Sequence, residues 1–538
     1  MSFRSARRGP SPAASRRVDG APTDLPPAAK AIAQQYLLRI LRAKVYSVAI
    51  ETPLIAADSL SKRLGHAILL KREDAQTVNS FKVRGAFNCM AQMGPAALAR
   101  GVICASAGNH AQGVALSARR LRARAVIVMP VTTPQVKIDA VHALGGDIVL
   151  YGDSYTDAYE HAVRLQTQQG LSFVHPFDDP DVIAGQGTVG LEILRQHPAH
   201  IDAVFVPVGG GGLIAGVAAY IKAVRPEIKV IGVQTTDSNG MALSVRNGAP
   251  TRLAEVGLFS DGTAVKLVGT ETFRLSQALV DDFITVNTDP ICAAVKDVFQ
   301  ETRRILEPAG ALSVAGLKKY VESGCRQGQT LIAITSGANI NFDRLRFVAD
   351  RAELGERREA LFAVMMPKQR DAFLRLCELV SDTADRARKI TEFNYRSANT
   401  PTAPLFIGLS ITRPDEAGAV LHHLESHGFS NLDLTDDDLA KDHLRHMIGG
   451  RAKASANERL FRFEFPDRPG ALLHLLSALK PDWELTLFHY RHQGADVANV
   501  LVGIVANGSP HSLTDILGRL DYPFVEETGN PSYCMFLR

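Results

Sequence analysis

The chain has 538 residues, 46% of them hydrophobic and 22% charged, with a formal net charge of +4. That length excludes a peptide or disulfide-stapled scaffold and calls for several domains of the usual ~100–200 residues, and the composition is that of a folding chain. The charge lies in the first 20 residues, where Arg4, Arg7, Arg8, Arg16 and Arg17 face Asp19, so the rest is formally neutral and offers no basic face to nucleic acid.

Cys89, Cys104, Cys292, Cys325, Cys377 and Cys534 show no CxxC spacing, so neither a disulfide framework nor a thiolate metal site is expected. No apolar run reaches the ~18–20 residues of a membrane span, and the first residues lack the apolar core of a secretory signal. A soluble, cytoplasmic protein without a bound metal or membrane partner is the expectation. Residues 1–25, rich in Arg, Ser, Pro, Gly and Ala, read as a disordered basic tail. Their composition also suits a transit peptide, but Pro and Gly interrupt any amphipathic helix.

Residues 26–352 alternate short apolar runs with helical stretches. The runs are Ala67–Lys71, Gly101–Ala105, Ala125–Met129, Asp147–Tyr151, Ser172–Phe177, Ala203–Val208, Lys229–Gln234 and Leu331–Thr335. Rich in Val and Ile and nearly unbroken, they read as strands buried on both faces of a mostly parallel sheet. The stretches between them, such as Gln135–Leu144 and Ser154–Gln168, are long enough for crossover helices, which predicts a doubly wound α/β architecture.

Within this region Ser80-Phe81-Lys82-Val83-Arg84-Gly85-Ala86 opens a helix. A lone lysine is usually a solvated charge. At a helix N-terminus, however, the positive end of the macrodipole favours the neutral amine, a nucleophile able to form a Schiff base with an aldehyde. Gly209-Gly210-Gly211-Gly212-Leu213 follows the run Ala203–Val208 and opens another helix, where backbone N–H groups can cradle a phosphate. Its spacing matches neither the dinucleotide nor the P-loop fingerprint, which leaves a small phosphate monoester.

The loop Ser106-Ala107-Gly108-Asn109-His110 sits where ligands bind in open α/β sheets and suits a carboxylate, although His110 alone is more often a core or capping residue. Ser336, ending the run Leu331–Thr335, has a helix cap as its plain role.

Beyond residue 358 an internal repeat appears: Leu361-Phe362 and Pro367 are echoed by Leu460-Phe461 and Pro466, and Phe393-Asn394-Tyr395-Arg396 by Phe488-His489-Tyr490-Arg491. Each copy, at 358–433 and 455–530, reads as a small α+β sandwich of strand, helix (Arg370–Val380; Gly470–Leu479), strand, strand and helix. A Gly/Ala/Ser/Lys-rich linker is expected near 449–457. The turn Pro466–Ala471 offers backbone donors at a helix start.

SFKxRGA, SAGNHAQGVA, VPVGGGGLIAG and TSGANxN together resemble the threonine/serine dehydratase branch of the fold-type II pyridoxal-phosphate enzymes, and the repeat is similar to the tandem ACT-like pair of biosynthetic threonine ammonia-lyases. The resemblance covers nearly everything after residue 25. It implies pyridoxal 5'-phosphate joined to Lys82, with Phe81 flanking the ring, Asn109 at its 3-hydroxyl, Gly209, Gly210, Gly211, Gly212 and Leu213 at its phosphate, and Ser336 at the pyridine nitrogen.

The same resemblance implies that Ser106, Ala107, Gly108 and His110 hold the substrate carboxylate. Expected are deamination of L-threonine, and of L-serine as a further substrate, to a 2-oxoacid and ammonia. The first step of isoleucine biosynthesis is implied, with feedback inhibition by isoleucine, valine being the other effector considered. Tyr395, Gly470, Ala471 and Leu472 are the effector-side candidates, and a homotetramer is the expected assembly. One departure is Gln234, where relatives often carry Glu, and its role is open. The rival readings are a serine dehydratase or racemase of the same fold and a non-catalytic amino-acid sensor.

Overall fold

In the computed structural model every residue of Val102–Ala105, Ala125–Met129 and Ala203–Pro207 is buried, which is why these strands carry unbroken apolar runs rather than an alternating pattern. The described residues are 25–437, apart from 132, 134, 343, 368–370, 382–387 and 397–400, together with 440–441, 445, 457–466, 476–477, 483–491, 497–506 and 524–530. The chain divides into two compact units, one formed by 1–287 with 297–340 and the other by 288–296 with 341–538. The expected basic tail, the linker near 449–457 and most of the predicted helix Gly470–Leu479 lie outside the described residues, as do Gly470, Ala471 and Leu472 themselves.

The first unit holds two sheets. A six-stranded sheet runs in the order Leu54–Ala56, Ala67–Lys71, Thr330–Ile334, Ala203–Pro207, Lys229–Thr235 and Asp282–Val286. All its pairings are parallel except that of the first strand. A four-stranded parallel sheet runs Asp147–Leu150, Ala125–Met129, Val102–Ala105 and Ser172–Phe173. The sequence patterning missed Leu54–Ala56 and Asp282–Val286, which lie at the two edges of the larger sheet and are only partly buried.

The predicted strand Ser172–Phe177 stops at Phe173. Pro176 has no N–H for a ladder, and the backbone N–H groups of Phe177 and Asp178 donate instead to His175 Nδ1, at 3.2 and 2.7 Å. The chain therefore turns away from the sheet at His175.

The second unit carries an eight-stranded antiparallel sheet in the order Asn431–Asp433, Glu359–Pro367, Thr402–Ser410, Ile390–Arg396, Trp483–Arg491, Val497–Ala506, Arg459–Pro466 and Phe524–Glu526. The two repeats join edge to edge through their shared motif: Phe393 faces Tyr490, Asn394 faces His489 and Tyr395 faces Phe488. Self-complementary pairing of this kind is what two copies of one sequence produce when related by a local twofold axis. Phe393 and Phe488 meet edge to face at 5.2 Å across that seam, and the helices Ala372–Ser381 and Asp415–Ser426 belong to the first repeat.

Candidate active site

Lys82 is the first residue of the helix Lys82–Gln92. The chain just before it is held by a bridge between Ser80 and Gly337 and by the Phe81 N–H donating to the Ser336 carbonyl at 3.2 Å. Two residues on, the fully buried Arg84 guanidinium donates to both oxygens of Glu73 and both of Glu192. Lys71 Nζ completes the cluster at 2.6 Å from Glu192. A fork with its donors engaged by two carboxylates fixes the helix start in rotation and in height.

Among the described residues the Lys82 amine meets no carboxylate. It donates to the Pro176 carbonyl at 2.9 Å and lies 5.4 Å from the centroid of the Phe81 ring. Burial lowers the ammonium to about 8, against a weaker opposing pull from Glu307. The dominant cause is thus burial, where sequence reasoning named the helix dipole.

The glycines after strand Ala203–Pro207 form a concave backbone surface at the N-terminus of helix Gly212–Val224. Gly211 has φ +99°, a left-handed conformation that glycine tolerates. A Cβ on Gly209 would stand 2.9 Å from Thr263 Cα, one on Gly210 would press into the Phe177 ring, and one on Gly212 would lie 3.1 Å from the Phe177 backbone. Leu213 follows in the helix and is buried.

Ser106, Ala107 and Gly108 form the half-buried link between strand Val102–Ala105 and helix Asn109–Leu121, with the Gly108 N–H donating to Ser106 Oγ at 3.3 Å. Asn109 opens the helix; its Nδ2 donates to Glu307 Oε1 at 2.6 Å, and its Oδ1 accepts from Asn339 Nδ2 at 2.6 Å. The His110 ring instead lies in the core, 2.9 Å from the Val174 carbonyl, and burial lowers it to about 3. It is a neutral imidazole committed to the scaffold, the plain role weighed for it from sequence. Ser336 is buried, with its Oγ donating to the Ala309 carbonyl at 3.2 Å.

A model of pyridoxal-phosphate-dependent enzymes matches residues 46–337, and one of the C-terminal regulatory domain of threonine dehydratase matches 350–444 and 449–537. The chain is 59% identical to the L-threonine dehydratase biosynthetic IlvA of Burkholderia multivorans over 93% of its own length and 99% of that protein. The chain belongs to the biosynthetic threonine dehydratases. Among solved structures, the processed form of threonine deaminase isoform 2 from Solanum lycopersicum is 49% identical, with a TM-score of 0.60 over 64% of this chain and 99% of that one. Maize serine racemase is 30% identical, with a TM-score of 0.54 over 59% and 96%.

As a biosynthetic threonine dehydratase the chain depends on pyridoxal phosphate, and its residues fit that group. The backbone cradle at Gly209–Gly212 is one that a single Cβ would fill, and a half-buried amine that donates to a carbonyl stands in the same unit.

Sequence reasoning missed the turn His175–Phe177, which supplies both the carbonyl facing Lys82 and the wall of the cradle. It also missed Glu307 and Asn339, which fix Asn109. Glu307 precedes Pro308 at a helix start and reads as a cap, yet its side chain makes no cap bond, and burial with nearby Asp261 pushes its carboxyl up to about 7. In the second unit Tyr395 is buried in the core, edge-on to Phe373 at 4.7 Å.

Proposed function

We propose that this chain deaminates L-threonine to 2-oxobutanoate and ammonia by eliminating water, under feedback control by isoleucine. The observation that carries the reading is Lys82: a half-buried lysine whose amine donates to a carbonyl rather than to a carboxylate, its ammonium lowered to about 8 by burial.

When bound, pyridoxal phosphate supplies an aldehyde for a Schiff base and a conjugated ring that delocalises negative charge from Cα. Lys82 would hold the group through its neutral amine, and the same amine would take the Cα proton of the substrate. Gly209, Gly210, Gly211, Gly212 and Leu213 hold the phosphate through backbone N–H groups at the positive end of helix Gly212–Val224. Phe81 packs beside the ring and Asn109 donates to its 3-hydroxyl, its amide kept in one orientation by Glu307 and Asn339.

Ser336 would offer a neutral hydroxyl rather than a carboxylate beside the ring nitrogen, a setting that would keep the electron sink shallow and favour elimination over transamination. Ser106, Ala107, Gly108 and the backbone of His110 take the substrate carboxylate at the start of helix Asn109–Leu121. Loss of the Cα proton and the β-hydroxyl leaves an enamine, whose tautomer takes up water and releases ammonia. The β-hydroxyl leaves with a proton, so the net change is threonine to 2-oxobutanoate plus ammonia.

The regulatory reading places isoleucine, with valine as the alternative effector, on the tandem repeats of a homotetramer in the cytoplasm, with Tyr395, Gly470, Ala471 and Leu472 on the effector side. It is supported by the match of both repeats to the regulatory-domain model. The likeness to maize serine racemase keeps L-serine as the second substrate to compare. The deciding test is the visible absorbance of the reconstituted chain and its 2-oxoacid release from threonine and from serine, for the parent and for Lys82→Ala. Expected are an absorbance band and threonine turnover in the parent and neither in the variant. A variant that keeps both would overturn the reading, and a colourless, inactive parent would leave the amino-acid sensor in its place.

A further inference from the structure

Gln234 lies near the end of strand Lys229–Thr235 and is 1% exposed. Its Nε2 donates to the Val208 carbonyl at 3.2 Å and to the Ser238 carbonyl at 3.1 Å, while its Oε1 accepts the Ala242 N–H at 2.8 Å. Two of these partners adjoin the cradle. Val208 immediately precedes Gly209, and Ala242 follows Met241 in helix Gly240–Asn247, the residue that a Cβ on Gly211 would strike. Both amide hydrogens are used, and the two carbonyls admit only a donor, so the side-chain orientation is fixed.

A carboxylate here could accept from Ala242, but its second oxygen would face two carbonyl oxygens in a buried place. Three converging oxygens repel unless a proton or a hard cation lies among them. We propose that Gln234 is a positioning residue for the phosphate cradle, its amide nitrogen fastening the Val208 and Ser238 carbonyls where a carboxylate would require a bound cation. Cofactor retention in this chain then needs no cation at this point. The proposal rests on the reading of Gly209–Gly212 as the phosphate site.

The test is titration of the cofactor-free full chain with pyridoxal phosphate, in buffer treated with EDTA and containing only tetramethylammonium, then with KCl or MgCl2 added. The parent affinity is expected to change less than about twofold on either addition. Gln234→Glu should bind about tenfold more weakly or worse in the depleted buffer, on the scale of a lost buried hydrogen bond and a misplaced charge, and recover with one of the two salts. Gln234→Leu should bind about as weakly and recover with neither.

Three results overturn the proposal: Gln234→Leu at parental affinity, Gln234→Glu unresponsive to both salts, or a parent that gains tenfold from either. Should Gln234→Glu fail to fold, Gln234→Leu and the parent still decide. A parent that takes up no pyridoxal phosphate at all fails the proposed function instead, whereas a parent that binds it alongside unaffected variants fails this proposal alone.

Discussion

Replacing Gly210 by Ala tests the cradle directly. The added Cβ would stand 2.5 Å from Phe177 Cδ2 and closer still to Cδ1 and Cγ, whereas an unstrained carbon contact needs about 3.5–4.0 Å. The ring must therefore give way by about 1 Å or more. It is not free to do so, because it packs edge to face on His175 at 4.7 Å and its own N–H is bonded to His175 Nδ1. Overpacking of this sort costs about 1–3 kcal/mol, which corresponds to roughly fivefold to a hundredfold in a binding constant if the strain falls on the bound state.

Displacement of Phe177 also drags Pro176, whose carbonyl holds Lys82, so the absorbance of bound cofactor should shift along with its affinity. The assay is a pyridoxal phosphate titration of Gly210→Ala in two backgrounds, the parent and Phe177→Ala. If the ring is the obstacle, the penalty shrinks once the ring is gone. An equal penalty in both backgrounds, or none in the parent, would refute the reasoning.

Glu307→Gln keeps an acceptor for Asn109 but removes a carboxyl that burial has raised from 4.5 to about 7. A raised carboxyl contributes its stability in full below pH 4.5 and loses it as pH climbs through 7, so the variant should gain on the parent over that window, by at most about 3 kcal/mol. Unfolding midpoints of the pair from pH 4.5 to 8 check this, and a pH-independent gap contradicts it. Arg84→Met leaves Glu73 and Glu192 without their shared guanidinium in a dry interior, a loss of about 3–5 kcal/mol. Its melting temperature should fall steeply and Arg84→Lys should not restore it, since one ammonium cannot span both carboxylates; a parental melting temperature for Arg84→Met would contradict this.

The strands Ala125–Met129 and Ala203–Pro207 were legible because burial on both faces removes every polar position from them. The glycine run was legible for a related reason: no other residue fits against Phe177 and Thr263. What patterning could not supply was adjacency. Val102–Ala105 and Ala203–Pro207 look alike as text, yet they belong to different sheets, because the run records burial and not the neighbour that causes it. Glu307 and the His175–Phe177 turn escaped for the opposite reason, since each mimics a common local device, a helix cap and the tail of a strand, and only the distant partners Asn109 and Lys82 disclose their use.

Two lysines in this unit show how one side chain acquires two fates. Lys71 Nζ is surrounded by Glu192 at 2.6 Å, the Thr52 carbonyl at 2.6 Å and Gln196 at 3.0 Å, a set that makes the residue part of the scaffold and opposes the burial that lowers its ammonium below the usual lysine range. Lys82 is half-buried and its amine donates to a single carbonyl, so burial, opposed by a weaker pull from Glu307, lowers its ammonium to about 8. The rigidity that catalysis needs is thereby moved off the reacting side chain and onto Arg84, two residues along the same helix, which is anchored by the very carboxylates that Lys82 is denied. In the role proposed for Lys82, its amine would move while its backbone stays fixed, a division that a carboxylate partner would abolish by holding the amine charged and in place.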